Sequence, residues 1–293
     1  MLFKRQKILL ALVEEFGGKL KNIDLQKYLF LLSLSQRDRA YHFVPYKYGC
    51  FSFQAYQDKR KLTEKGYLKP VTDWQLAEKH NFKEMLTNDD TKEIWQIRND
   101  FETLKGDDLV GYVYRKYPYY AIKSTIASRV LSKQEMQEVE KAKPQKRGYV
   151  LCSIGYEGKS LEEYLNILIQ EDIKVLCDVR KNPISRKYGF SKSTLMNALD
   201  ALGINYVHCP ELGIDSKHRV LLESQEDYDR LFSEYENTTL KDNHNGVLRL
   251  DKLLKKKKRI AVTCYEKRPQ QCHRTRVANS IFELNEGLTF IEA

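Results

Sequence analysis

The chain has 293 residues, enough for two domains of ordinary size, and 42% hydrophobic with 31% charged residues describes a globular protein rather than a disordered one. No apolar run reaches the length of a membrane span, and six scattered cysteines without a CxxC pair exclude a dense disulfide framework. Fifty Lys and Arg against forty Asp and Glu leave a formal charge of +10, and residues 1–75 hold 14 of the basic and only 7 of the acidic side chains, a bias that suits a polyanionic partner.

Residues 4–16 place Ile8, Leu9, Leu12, Val13 and Phe16 at helical spacing, and Gly17-Gly18 ends that helix. The early charges Lys4, Arg5 and Lys7 ahead of an apolar run resemble a weak signal peptide. No small-residue cleavage site follows, so an amphipathic first helix and a cytoplasmic protein are expected. A second helix is predicted from Asp24, as N-cap, through Leu25, Tyr28, Leu29 and Leu32. Tyr41–Tyr48 contains Pro45 and reads as an edge strand or irregular extended segment. Ser52 caps a third helix that stops near Gly66, and Tyr67, Leu68 and Pro70 begin a β-wing running toward Gln75.

Helix, helix, third helix and wing is the order of a winged helix-turn-helix, whose third helix enters the major groove. Its outward residues would be Gln57, Arg60, Lys61 and Lys65, where glutamine can read a base edge and the cations hold phosphates. Residues 81–140 read as helical, with Ile94, Ile97 and Phe101 on one face. Tyr112, Tyr114, Tyr117, Tyr119 and Tyr120 cluster around Pro118 and suit an interdomain packing surface better than base stacking. Residues 1–80 are thus expected as a nucleic-acid-binding domain and 81–147 as a helical extension with a basic linker, KAKPQKRG, before an α/β domain over 148–293.

From residue 149 strands and helices alternate: YVLCSI, a helix capped by Ser160, KVLCDV, a helix over 195–202, a short strand at 205–208, helices near 228–235 and 246–257, RIAVTC, a final helix, and a closing strand at 288–291. This rhythm predicts a mostly parallel sheet with flanking helices. Function in such sheets gathers at the carboxyl ends of the strands. Polar residues stand there in three segments: Tyr156, Glu157 and Lys159; then Asp178, Arg180, Asn182, Ser185 and Arg186; then Cys264, Tyr265, Glu266, Lys267, Cys272, His273 and Arg274.

Asp178 ends an apolar strand, so its carboxylate must find a cation, and Arg180 lies on the same side by period two. Arg186 and the helix start after Ser191 would form a phosphate cradle. A zinc site on Cys264, Cys272 and His273, with Cys209 or Cys177 added, is disfavoured because seven residues separate the first two cysteines. A phosphatase-like loop from Cys264 would want Arg where Gln270 stands. No metal is assigned from the sequence and no cofactor is identified.

The stretch SIGYEGKSLEEYLNILIQEDIKVLCDVRKNPISRKYGFSKSTL, with TCYEKRPQQCHR further on, closely resembles the domain of unknown function 488 family over about residues 149–293. The resemblance highlights Tyr156, Glu157, Asp178, Arg180, Pro183, Ser185, Arg186, Cys264, Glu266, Cys272, His273 and Arg274, and leaves the reaction open. The segment LQKYLFLL with YHFVPYKYGCFSFQAYQDKRKL is similar, more loosely, to winged-helix modules of bacterial and archaeal regulators, with Cys50 where such modules often have Pro.

The expectation is a DNA-binding protein with an enzyme domain acting on nucleic acid or nucleotides, by base excision as in a DNA glycosylase or by nuclease-type hydrolysis. Asp178, Glu266 and Glu157 would be its catalytic carboxylates. Tyr156, Arg180, Ser185, Arg186, Cys264, His273 and Arg274 would hold phosphate or substrate. DNA is favoured over RNA as the partner, no membrane partner is expected, and a homodimer is compatible. The alternatives are a ligand-sensing transcriptional regulator and a phage-defence or toxin–antitoxin component without catalysis.

Overall fold

Residues 1–78, 80–215, 217 and 222–293 are described by the computed structural model, and the chain divides between Lys143 and Pro144 into two units. Helix α1 (Lys4–Glu15) buries Ile8 through Val13 almost all round. Gly17 and Gly18, both at positive φ, close it: the Gly18 amide donates to the Val13 carbonyl at 2.8 Å and the Gly17 amide to that of Glu14 at 3.0 Å. Strand β1 (Lys19–Leu20) follows, then helix α2 (Asn22–Ser35). It starts two residues before the expected cap. Asp24 lies in the first turn, where its carboxylate accepts the Gly106 amide at 2.8 Å.

Residues 41–51 settle into a hairpin, β2 (Val44–Tyr46) and β3 (Gly49–Phe51), with Gly49 at a φ of 91° after the turn. The buried Lys27 amine donates to the Tyr48 carbonyl, and the Gln26 side-chain Oε1 accepts the Ser52 amide at 2.9 Å, so polar contacts seat the hairpin on α2. Ser52 caps α3 (Phe53–Glu64) by accepting the Ala55 amide. Strand β4 (Trp74–Gln75) pairs antiparallel with β1, and Leu68 bridges Leu76 beside it.

Helices α4 (Asn88–Phe101), α5 (Asp107–Lys116), α6 (Ala127–Val130) and α7 (Lys133–Ala142) complete the same unit. They are no separate extension, since the Tyr28 hydroxyl of α2 donates to the Leu104 carbonyl and the Phe82 amide to Glu14. The tyrosine cluster packs inside this unit: Phe30 meets Tyr117 and Tyr120 edge-on, with ring centroids 5.2 and 4.5 Å apart.

Asp58 on α3 is fully buried and accepts from Arg5 Nε at 2.7 Å, Gln6 Nε2 at 2.8 Å and the Tyr41 hydroxyl at 3.0 Å. Removing that carboxylate strands three donors. Asp58→Ala is expected to destabilise the unit by about 3 kcal/mol, read as a shifted urea midpoint. A midpoint within error of wild type would refute the keystone role.

In the second unit every strand runs parallel. Strand β5 (Val150–Gly155) leads to α8 (Leu161–Gln170), which is held by a reciprocal cap between Ser160 and Glu163. Then come β6 (Val175–Asp178), α9 (Lys192–Asp200), β7 (Asn205–His208), α10 (Gln225–Tyr235), α11 (His244–Lys257), β8 (Arg259–Cys264), α12 (His273–Phe282) and β9 (Thr289–Glu292). The sheet order is β7-β6-β8-β5-β9, and Cys177, Val262 and Leu151 of its central strands pack with Val247, Leu250 and Val277 of α11 and α12. Strand β8 slots between β6 and β5, so its carboxyl end lies beside theirs, and the chain leaves that point in opposite directions.

Candidate functional site

The carboxyl ends of β6 and β8 and the loop after β6 enclose a cavity of about 450 Å³. Its basic side is Lys181, Arg186 and Lys187, its floor Cys264 and His273, and its apolar lip Ile184 and Tyr265. Lys181 and Arg186 are exposed and meet no carboxylate among the described residues, whereas the Lys187 amine donates to the Tyr156 carbonyl at 3.0 Å. Ile184 is 85% exposed, an unusual place for an aliphatic side chain inside a basic loop.

Asp178 and Arg180 form a closed pair rather than an open acid. Asp178 is fully buried, and it accepts from Arg180 Nε at 2.9 Å and from the Tyr206 hydroxyl at 2.7 Å. Arg180 spends its remaining reach on the Tyr156 hydroxyl and the Phe190 carbonyl, both at 2.8 Å. Burial alone would ease the proton off Arg180, but hydrogen bonding and the charge of Asp178 outweigh it and hold the guanidinium more firmly protonated than usual. Burial likewise pushes the Tyr206 phenol up, with the Asp178 charge adding to it. The Tyr156 ring lies flat on Phe190 with centroids 4.3 Å apart, which fixes the wall of the cavity.

Residues 265–267 are held from both sides. A Cβ on Gly155 would fall 2.0 Å from the Glu266 carbonyl oxygen, so only glycine lets that backbone approach the end of β5. Arg274 is fully buried and donates to the same carbonyl and, at 3.1 Å, to the Ser153 hydroxyl. The Glu157 carboxylate accepts the Lys267 amide at 2.8 Å. Arg274 and Glu157 therefore position the segment and do not line the cavity. Ser185 serves its own loop, its hydroxyl accepting the Lys187 amide.

The Glu266 side chain points the other way. Its Oε2 accepts from Cys264 Sγ at 3.2 Å and from Cys272 Sγ at 3.0 Å. His273 Nε2 lies 3.0 Å from the Val179 carbonyl, which can only accept, so the proton of neutral His273 sits on Nε2 and the Nδ1 lone pair faces Cys264 Sγ at 3.7 Å. Burial pushes the Cys272 thiol well above the ordinary thiol range, and the neighbouring Cys264 and Glu266 add to it. The three expected catalytic carboxylates point to three different surroundings. Among the described residues the one group with ligand atoms all within 4.8 Å of each other is Cys264, Cys272 and His273.

Residues 160–281 match the family model described as domain of unknown function DUF488. The C-terminal unit is a DUF488 domain. No curated protein and no solved structure matches the chain. The matched range of the DUF488 domain takes in both cavity walls, the 181–187 loop and the Cys264–His273 floor, while Tyr156 and Glu157 stand just before it.

Cys272 is the residue that the sequence grouped with Cys264 and His273 only in a disfavoured zinc site and gave no role among the expected site residues. Its signal was the adjacent His273 at the start of α12. On α3 of the first unit Arg60 and Lys61 are exposed and Gln57 is half-buried, and Lys65, just past its end, is exposed too. Arg60 faces Glu64 only at 3.8 Å, too long for a hydrogen bond. No helix among the described residues is long and apolar enough to cross a membrane.

Proposed function

We propose that this protein binds DNA through a winged-helix-like first unit and processes a nucleic acid or nucleotide in its DUF488 domain. The observation that carries the reading is the cavity itself: cations without acidic partners on one side, thiol and imidazole on the floor, and a carboxylate reaching both sulfurs. Lys181 and Arg186 would take a phosphate, and Ile184 with Tyr265 would pack against a base or sugar. Acid–base work falls to Glu266, because Asp178 has both oxygens committed to Arg180 and Tyr206. A reducing, cytoplasmic setting is supported by six buried cysteines, none of them in a disulfide among the described residues.

Labelled single- and double-stranded DNA and RNA carrying varied lesions, incubated with the full chain with and without divalent metal, test the proposal. Strand breaks or abasic sites formed by wild type but not by Lys181→Ala/Arg186→Ala are expected, and binding without any product on any substrate would overturn the enzyme reading. The DNA-binding half makes a separate prediction. Duplex affinity should fall steeply with salt, and Arg60→Ala/Lys61→Ala/Lys65→Ala should flatten the log–log slope by about 2 to 3, as three lost phosphate contacts require. A flat salt profile in the wild-type chain would remove nucleic acid from the account.

A further inference from the structure

The floor of the cavity has the geometry of a transition-metal site. We propose that Cys264, Cys272 and His273 bind one zinc ion through the two Sγ atoms and Nδ1, with the fourth position left for water or substrate on the cavity side. Tetrahedral zinc with sulfur at about 2.3 Å and imidazole nitrogen at about 2.0 Å sets sulfur and nitrogen ligands roughly 3.6 Å apart. Cys264 Sγ and His273 Nδ1 lie 3.7 Å apart, and all three ligand atoms fall within 4.8 Å of each other.

The imidazole is prepared for the role. The Val179 carbonyl takes the Nε2 proton, which leaves Nδ1 as the donor atom and fixes the ring plane, the usual outer partner of a metal-bound histidine. Two thiolates with one imidazole select a borderline-soft divalent ion over magnesium or calcium, whose ligands are oxygens. Three protein ligands with one open position is the pattern of catalytic rather than structural zinc.

Chain geometry explains how the ligands meet. Cys264 ends β8, and the chain makes a single 3-10 turn at Pro269–Gln271 before Cys272 caps and His273 begins α12. Cys264 and His273 line the cavity, so the open position faces it. Glu266 Oε2, next to both sulfurs, stands where it can exchange a proton with a water on that position. This inference does not depend on DNA being the substrate, since it concerns only what the three side chains hold.

The test is metal analysis of the full chain purified under reducing conditions without chelator. About one zinc per chain is expected, and Co²⁺ added to the stripped protein should give the visible bands of a tetrahedral site together with thiolate charge-transfer absorption. Cys272→Ser and His273→Gln should each lose at least nine-tenths of the bound zinc, while Cys152→Ser, on β5, keeps it. Circular dichroism of stripped wild type, which carries no substitution, separates loss of metal from loss of fold. Less than about a tenth of a zinc per chain with no Co²⁺ bands in folded wild type would overturn the proposal. So would a Cys264–Cys272 disulfide in the reduced preparation, or full zinc in both ligand variants.

Discussion

Asp178→Ala should lower the stability of the DUF488 domain by about 3–5 kcal/mol, the range found when one partner of a buried ion pair is removed. The effect is large because the substitution leaves Arg180, only 6% exposed, with a charge facing protein instead of water. The Tyr206 hydroxyl loses its acceptor at the same time, and the Arg180 amide loses the Asp178 oxygen that it meets at 3.1 Å. Arg180 also braces Tyr156 and Phe190, so the cavity wall should loosen before the sheet does. Urea unfolding combined with hydrogen exchange over β5 and β8 reads both effects. Asp178→Ala/Arg180→Met should recover part of the loss, since the stranded charge is gone. A single substitution that costs under about 1 kcal/mol would mean that the pair is solvated. If activity then vanished with stability intact, Asp178 would return as a catalytic group.

That contrast shows how far the sequence could be read. Period two places Asp178 and Arg180 on one side, and they do touch, but alternation says nothing about whether the pair opens onto a cavity or closes on itself. Closure comes from Tyr206 on β7 and Phe190 before α9, residues 28 and 10 positions away from their partners. The parallel sheet was legible because β5, β6 and β8 are short apolar runs and α8 carries its cap at Ser160. Arg274 looks like a phosphate ligand in sequence because it opens a helix. In the fold the start of α12 sits against β5, and the guanidinium clamps carbonyls instead.

The floor residues were named in the sequence, but a metal site on them was disfavoured for a different reason. Seven residues between Cys264 and Cys272 match no compact ligand loop. The spacing works only because Gly155 admits the Glu266 backbone and Glu157 holds the Lys267 amide, folding the segment back. Neither residue carries a sign of that task in the sequence. The β2–β3 hairpin shows the same limit, since Pro45 argues against a strand while Lys27 and Gln26, a helix away, supply the contacts that hold it.

If the proposed function holds, Cys264→Ala should reduce turnover of the nucleic acid or nucleotide that wild type processes by at least about 10²-fold with its dissociation constant unchanged, the signature of a group acting on the reacting atoms rather than on binding. Cys264 is buried between the Glu266 carboxylate and the His273 imidazole and still lines the cavity, so nothing else on the floor replaces its sulfur. The fold should tolerate the change. One small side chain replaces another at the end of β8, and the ladder of β8 with β5 and β6 is made by backbone groups. Single-turnover rates on the substrate that wild type processes, beside thermal melts of both proteins, separate chemistry from stability. His273→Gln should match the loss, and the double substitution should cost little more than either single one, because both side chains serve one reacting centre. Additive losses would assign them separate tasks, and full activity in both singles would move the chemistry to another part of the cavity.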